Sequence, residues 1–139
     1  MVLYFMRKYD NFCKALNNLK EGTQLHEPYN IAEQTGMIGL FEICFEQSWK
    51  MMKELLEQHG RSEQRIGSPR TIIKIAYQCG MISNEEGWLA ILNARNTLAH
   101  TYSDELSLET IRNIKENYLS LFESLKNEVD NDWLNYDEK

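Results

Sequence analysis

Arg95-Asn96-Thr97-Leu98-Ala99-His100-Thr101-Tyr102 gathers a permanent cation, a near-neutral proton carrier and a phenol within two helical turns. These residue types suit phosphate chemistry. Arginine grips two phosphate oxygens at once, histidine gives or takes a proton near neutral pH, and asparagine can orient either partner. With six Arg, three His and seven Tyr in 139 residues, the order Arg, four residues, His, one residue, Tyr is expected by chance roughly 0.007 times. That rarity justifies weighing the three residues jointly. Singly, each has a structural use: His complements a helix dipole, Arg snorkels along an apolar face, and Tyr packs at a helix end.

On an ideal helix Arg95 and Tyr102 fall within about 20° of each other, on the same stripe as Trp88, Ile91, Leu92, Leu98 and Ala99. An arginine therefore interrupts a burying face. Asn96 and His100 share the adjoining face with Asn93, and His100 points about 140° away from Arg95. The two serve one ligand only through the reach of the arginine, an opened helix end or a second subunit.

The elements that must position these residues are helical. Phe5, Phe12, Leu16 and Leu19 step by seven, four and three, predicting a helix over about 3–21 that stops at Gly22. A long second helix is expected from about Tyr29 to Gln58, with Ile31, Ile38, Phe41, Phe45, Trp49, Met52 and Leu56 on its apolar stripe, ended by Gly60. Ser68-Pro69 opens a short third helix that closes at Gly80. Ser83 to Glu86 fits a capping box for the motif helix, and Ile111, Ile114, Tyr118, Leu121 and Leu125 predict a last helix from about Leu108 to Val129. The expected fold is all-α: one domain over residues 1–139, an antiparallel up-and-down four-helix bundle with one short connecting helix.

Composition narrows the function further. No apolar run approaches the roughly 20 residues of a membrane span, and the apolar start is too quickly charged for a signal peptide, so a soluble, cytoplasmic protein is expected. Cys13, Cys44 and Cys79 read as free, buried thiols of a reducing compartment. His26, His59 and His100 lack paired spacing, so no metal is expected, and no glycine-rich phosphate loop or cofactor motif occurs. Gly36 and Gly39 fall inside the second helix, where they would permit close packing. Glu42 and Glu46, four apart, form either a carboxylate pair or a solvated, arginine-pairing face. The net charge of −6 argues against coating nucleic acid, yet residues 50–74 hold six Lys/Arg against three Asp/Glu. Arg65, Arg70 and Lys74 from that stretch are candidates for a basic lip beside a phosphate site.

Arg95 to Tyr102 resembles the signature of the HEPN superfamily, and Tyr102, two residues after His100, is similar to the HepT-type branch, also described as nucleotidyltransferase substrate-binding proteins. Phe41-Glu42, Trp49-Lys50, Pro69, Ala76, Gly80-Met81-Ile82 and Trp88 agree with it over about residues 5–134. The resemblance implies a homodimer that brings two copies of Arg95 and His100 into one cleft, and a small nucleotidyltransferase partner. It further implies a metal-independent RNase toxin whose antitoxin attaches AMP to Tyr102, or else a substrate-binding subunit without chemistry of its own. In the first case Arg95, Asn96 and His100 are the catalytic set, RNA is the substrate, and no cofactor is needed.

Overall fold

The computed structural model describes residues 2–61 and 67–134, with side chains from residue 7 onward. Arg65 lies outside the described residues. Helix α1 spans Val2–Gly22, α2 Ile31–Gln58, α3 Pro69–Gln78 and α4 Glu85–His100. A C-terminal rod follows without interruption: α5 Asp104–Asn113, a π-helical turn Ile114–Tyr118, α6 Leu119–Glu128 and a second π turn Val129–Trp133. The rod is longer than its apolar spacing predicts. It starts at Asp104 because the Ser103 hydroxyl caps the Leu106 N–H at 3.1 Å.

Helix ends follow the expected chemistry with two shifts. Gly60 and Gly80 take φ of 68° and 82°, the left-handed geometry that ends α2 and α3, and Ser68 caps α3 ahead of Pro69. The capping box expected at Ser83 is absent. Asn84 caps α4 instead, accepting from the Gly87 N–H at 2.9 Å, one residue later than expected. The true capping box is at the start of α2: Asn30 accepts from the Glu33 N–H at 2.8 Å while the Glu33 carboxylate accepts from the Asn30 N–H at 2.9 Å.

The core gathers Phe12, Leu16 and Leu19 of α1, Phe41, Phe45, Met52 and Leu56 of α2, Ile72, Ile73 and Ala76 of α3, Trp88, Ile91 and Leu92 of α4, and Phe122, Leu125 and Val129 of the rod. Trp88 meets Phe122 edge-on at 5.3 Å and Phe41 stacks on Tyr118 at 5.6 Å, pairs worth about 0.5–1.5 kcal/mol each beyond area burial. Gly87 permits the close approach of α4 to the rod, since a Cβ there would stand 2.7 Å from Leu121 Cδ1. Gly36 and Gly39 do no such work within the chain: nothing lies within 4 Å of a Cβ at either. Ile31 is likewise off the buried stripe, 60% exposed near the start of α2, where Gln34 and Met37 take the inward positions. Ala99 is exposed as well. Of the three thiols, all free, only Cys44 is fully buried, and burial pushes its pKa up; Cys13 and Cys79 are half-buried.

Polar contacts fasten the rod across the bundle. Lys126 Nζ donates to Asp130 Oδ2 at 2.8 Å, and the Tyr9 hydroxyl of α1 donates to the same carboxylate. Burial alone would raise the Asp130 pKa, but these two hydrogen bonds outweigh it and hold the carboxyl below its ordinary value. His59, capping α2, contacts the Trp133 carbonyl at 3.1 Å and packs edge-to-face with the Trp133 ring, centroids 4.7 Å apart. Lys115 reaches the Leu25 carbonyl at 2.6 Å, fixing the link between α1 and α2.

Because the folded-state pKa of Asp130 is depressed, its contribution is present above the unfolded value of about 3.9 and lost as pH falls through the folded one. Asp130→Asn should lower unfolding free energy by at most about 1 kcal/mol at neutral pH, since both partners of the ion pair are about a third exposed. In urea titrations at a series of pH values, the variant and parent curves should converge in acid.

Candidate functional site

Trp88, Ile91 and Leu92 anchor the inner face of α4 in the core, and this sets the rotation of the next turn. Arg95 then emerges at the seam with α2, half-buried, its guanidinium 5.7 Å from the centre of the Phe45 ring. Its Nη2 donates to Glu46 Oε1 at 3.0 Å and its Nη1 to Asn96 Oδ1 at 3.1 Å. Glu46 also accepts from the Trp49 indole N–H at 3.2 Å and lies 3.8 Å from Lys50 Nζ. An arginine entering an apolar seam needs a carboxylate beside it, and α2 supplies one. Of the two readings for Glu46, arginine pairing is the observed one.

His100 is the last residue of α4 and exposed, and among the described residues no hydrogen bond restrains its ring. In one chain, therefore, Arg95 and His100 stand on different sides of the helix, as their spacing predicts. Asn96 holds Arg95 rather than the imidazole.

Tyr102 departs from the expected stripe. The helix ends at His100, Thr101 is extended with φ −135° and ψ 126°, and Ser103 already caps α5. Tyr102 therefore stands outside both helices, 87% exposed. A stripe shared with Arg95 requires α4 to run on through residue 102; the Ser103 cap, with acidic Asp104 and Glu105 in the first turn of α5, ends it instead. Gln34 of α2 fixes this junction by donating to Asp104 Oδ1 at 3.3 Å.

The basic candidates of α3 are exposed. Lys74 lies 3.8 Å from Glu85 in the first turn of α4, which is ten residues or about 15 Å along the axis from Arg95, and Arg70 is solvated. Neither contacts Arg95 directly. Among the described residues no group of three or more His, Cys, Asp and Glu is arranged to hold a metal ion, and no helix is long and apolar enough to cross a membrane.

A family model described as nucleotidyltransferase substrate binding protein like matches residues 7–131, a range that holds Glu46, Arg95, His100 and Tyr102. The chain belongs to this family. The probable ribonuclease HepT of Haemophilus influenzae is 32% identical over 83 residues, 58% of this chain. The match spans 57% of that relative's length. A protein of known structure from Thermus thermophilus is 28% identical with a TM-score of 0.73, over 82% of this chain and 94% of its own. A chain from the toxin-antitoxin MntA-HpeT mutant crystal structure superposes with a TM-score of 0.74 over 91% of this chain and 96% of its own, at 15% identity, a likeness of fold.

Glu46 is the residue that tests the construction of the site. Because both partners are about 30% exposed, Glu46→Gln should change stability by at most about 1 kcal/mol. It should also release Arg95 for anions, so that inorganic phosphate raises the melting temperature of the variant more than that of the parent.

Proposed function

We propose that this chain is a metal-independent endoribonuclease toxin of the HEPN type, held in check by a cognate nucleotidyltransferase that attaches AMP to Tyr102. The observation that carries it is Arg95, a half-buried cation held at the seam of α2 and α4 by Glu46 and Asn96 in a chain whose relative in Haemophilus influenzae is a probable ribonuclease. RNA cleavage without a metal needs a base for the 2′-hydroxyl, an acid for the leaving 5′-oxygen and a fixed cation for the charge on phosphorus. Arg95 is the cation. His100 supplies the proton transfers, one copy as base and one as acid, in a homodimer that brings two α4 ends together. Cleavage in this manner yields a 2′,3′-cyclic phosphate. Arg70, Lys74 and Arg65 add phosphate contacts, and the setting is the cytoplasm.

Control follows from exposure. The Tyr102 oxygen attacks the α-phosphorus of ATP on the partner, and pyrophosphate leaves. The resulting adenylate places a bulky anion two residues from His100, where it competes with RNA for the site.

One observation favours a second reading, a binding subunit without chemistry of its own. Glu46 already satisfies Arg95, so an RNA phosphate must displace or share that carboxylate, in a protein of net charge −6. His100 separates the readings. Its substitution by Ala should lower RNA cleavage by on the order of 10²–10⁴ with chelator present while leaving the dimer folded. Equal cleavage by parent and variant would select the binding subunit. With partner, ATP and magnesium, the intact mass should rise by one AMP, and Tyr102→Phe should abolish the increment; a strictly monomeric mass at micromolar concentration would remove the composite site.

A further inference from the structure

Helix α3 carries a face that the fold does not use. Ile72, Ile73 and Ala76 are fully buried and fix its rotation, and the Ser68 cap and Pro69 fix its start. Arg70, Lys74 and Tyr77 consequently stand together on the outer face, at steps of four and three. Tyr77 is 45% exposed, one of four large hydrophobic side chains so displayed among the described residues. Neither its hydroxyl nor the Arg70 guanidinium has a hydrogen-bond or ion-pair partner among those residues. The contact of Lys74 with Glu85 is long, 3.8 Å, with the lysine side chain half-solvated, and is easily exchanged for another anion.

We infer that this face is a track for single-stranded RNA, with a base stacked on Tyr77 and successive phosphates on Lys74 and Arg70. The inference rests on the RNA-cleaving reading above and extends it to how the strand is held. Lys74 and Arg70 are separated by about 6 Å along the helix axis, comparable to adjacent phosphates of an extended strand, and Tyr77 follows about one turn away. Aromatic stacking beside a line of cations binds single strands without regard to sequence, because every base offers a π face. Charge directs the polyanion here: residues 50–74 are the basic stretch of an otherwise acidic chain, and Arg70 and Lys74 belong to it. Helix α3 also packs against both α2 and α4, the two helices that hold Glu46 and Arg95. A strand on this face therefore runs along a helix that is packed on both of those elements, with Arg95 about 15 Å along α4 from Glu85, the partner of Lys74.

Binding of the full chain to a short, labelled, mixed-sequence 2′-O-methyl RNA, which has no free 2′-hydroxyl and is not cut, tests the track by fluorescence anisotropy. Tyr77→Ala should weaken binding on the order of 10-fold, while Tyr77→Phe, which keeps the ring, should stay within about twofold of the parent. Arg70→Gln combined with Lys74→Gln should flatten the dependence of log affinity on log salt by roughly 1.4. Unchanged binding by Tyr77→Ala, equal losses in both Tyr77 variants, or no RNA binding by the parent would overturn the inference. A parent that binds this strand yet cuts no unmodified RNA sinks the nuclease reading and leaves the track standing. A parent that cuts RNA while Tyr77→Ala binds as tightly does the reverse.

Discussion

The organisation of the site depends on one ion pair between α4 and α2. Arg95 lies at the edge of the side of α4 that Trp88, Ile91 and Leu92 turn into the core, its guanidinium against Phe45 and about 30% exposed, and Glu46 is the counter-charge that orients it across the seam. The carboxylate makes the position tolerable, and in doing so it fixes where the guanidinium points. Trp49 and Lys50 hold the other oxygen of Glu46 in turn. A cation restrained in this way is pre-organised for an oxyanion but not idle, because any anionic ligand meets a rival already in place. Stability and function pull on the same carboxylate.

A second constraint is the short junction between α4 and the rod. Only residues 101–103 separate the end of one helix from the start of the next, and both ends are chemically defined, by the extended Thr101 and by the Ser103 cap. His100 and Tyr102 project from this junction into solvent while Arg95 remains rooted in the seam. The motif thus divides into a rigid half and an open half.

Much of this was legible in the sequence because apolar spacing reports burial directly. The core stripes through Phe12, Leu16 and Leu19, and through Phe41, Phe45, Met52 and Leu56, stand as the periodicity predicts. What failed were decisions about single positions. Ser83 and Asn84 are both competent caps, and nothing local to the sequence says which one lets Met81 and Ile82 reach the core. Ile31 satisfies the stripe by type but stands near the helix start, beyond the reach of neighbouring elements. The end of α4 before Tyr102 is written locally, since Ser103 followed by two acidic residues is a helix-start signal. The pairing of Glu46 with Arg95, 49 residues apart, is tertiary, and a pair of glutamates four apart could only suggest it. Tyr77 sits at helical spacing, where an aromatic is ordinarily core, and only the burial of Ile72, Ile73 and Ala76 turns it outward.

The two π turns of the rod have an evolutionary reading. The inward residues Ile114, Tyr118 and Phe122 advance by two successive steps of four, as do Leu125, Val129 and Trp133. In a regular α-helix each such step overshoots a full turn by about 40°, and two in succession would swing the third side chain off the core. A wider turn absorbs the excess, which is what Ile114–Tyr118 and Val129–Trp133 provide. Each π turn is thus equivalent to an α-helix that has accommodated one additional residue without losing its seam. Lineages of this fold differing in length by a single residue should carry the gap at these two places, where an insertion is accommodated by local widening and the bundle need not be repacked.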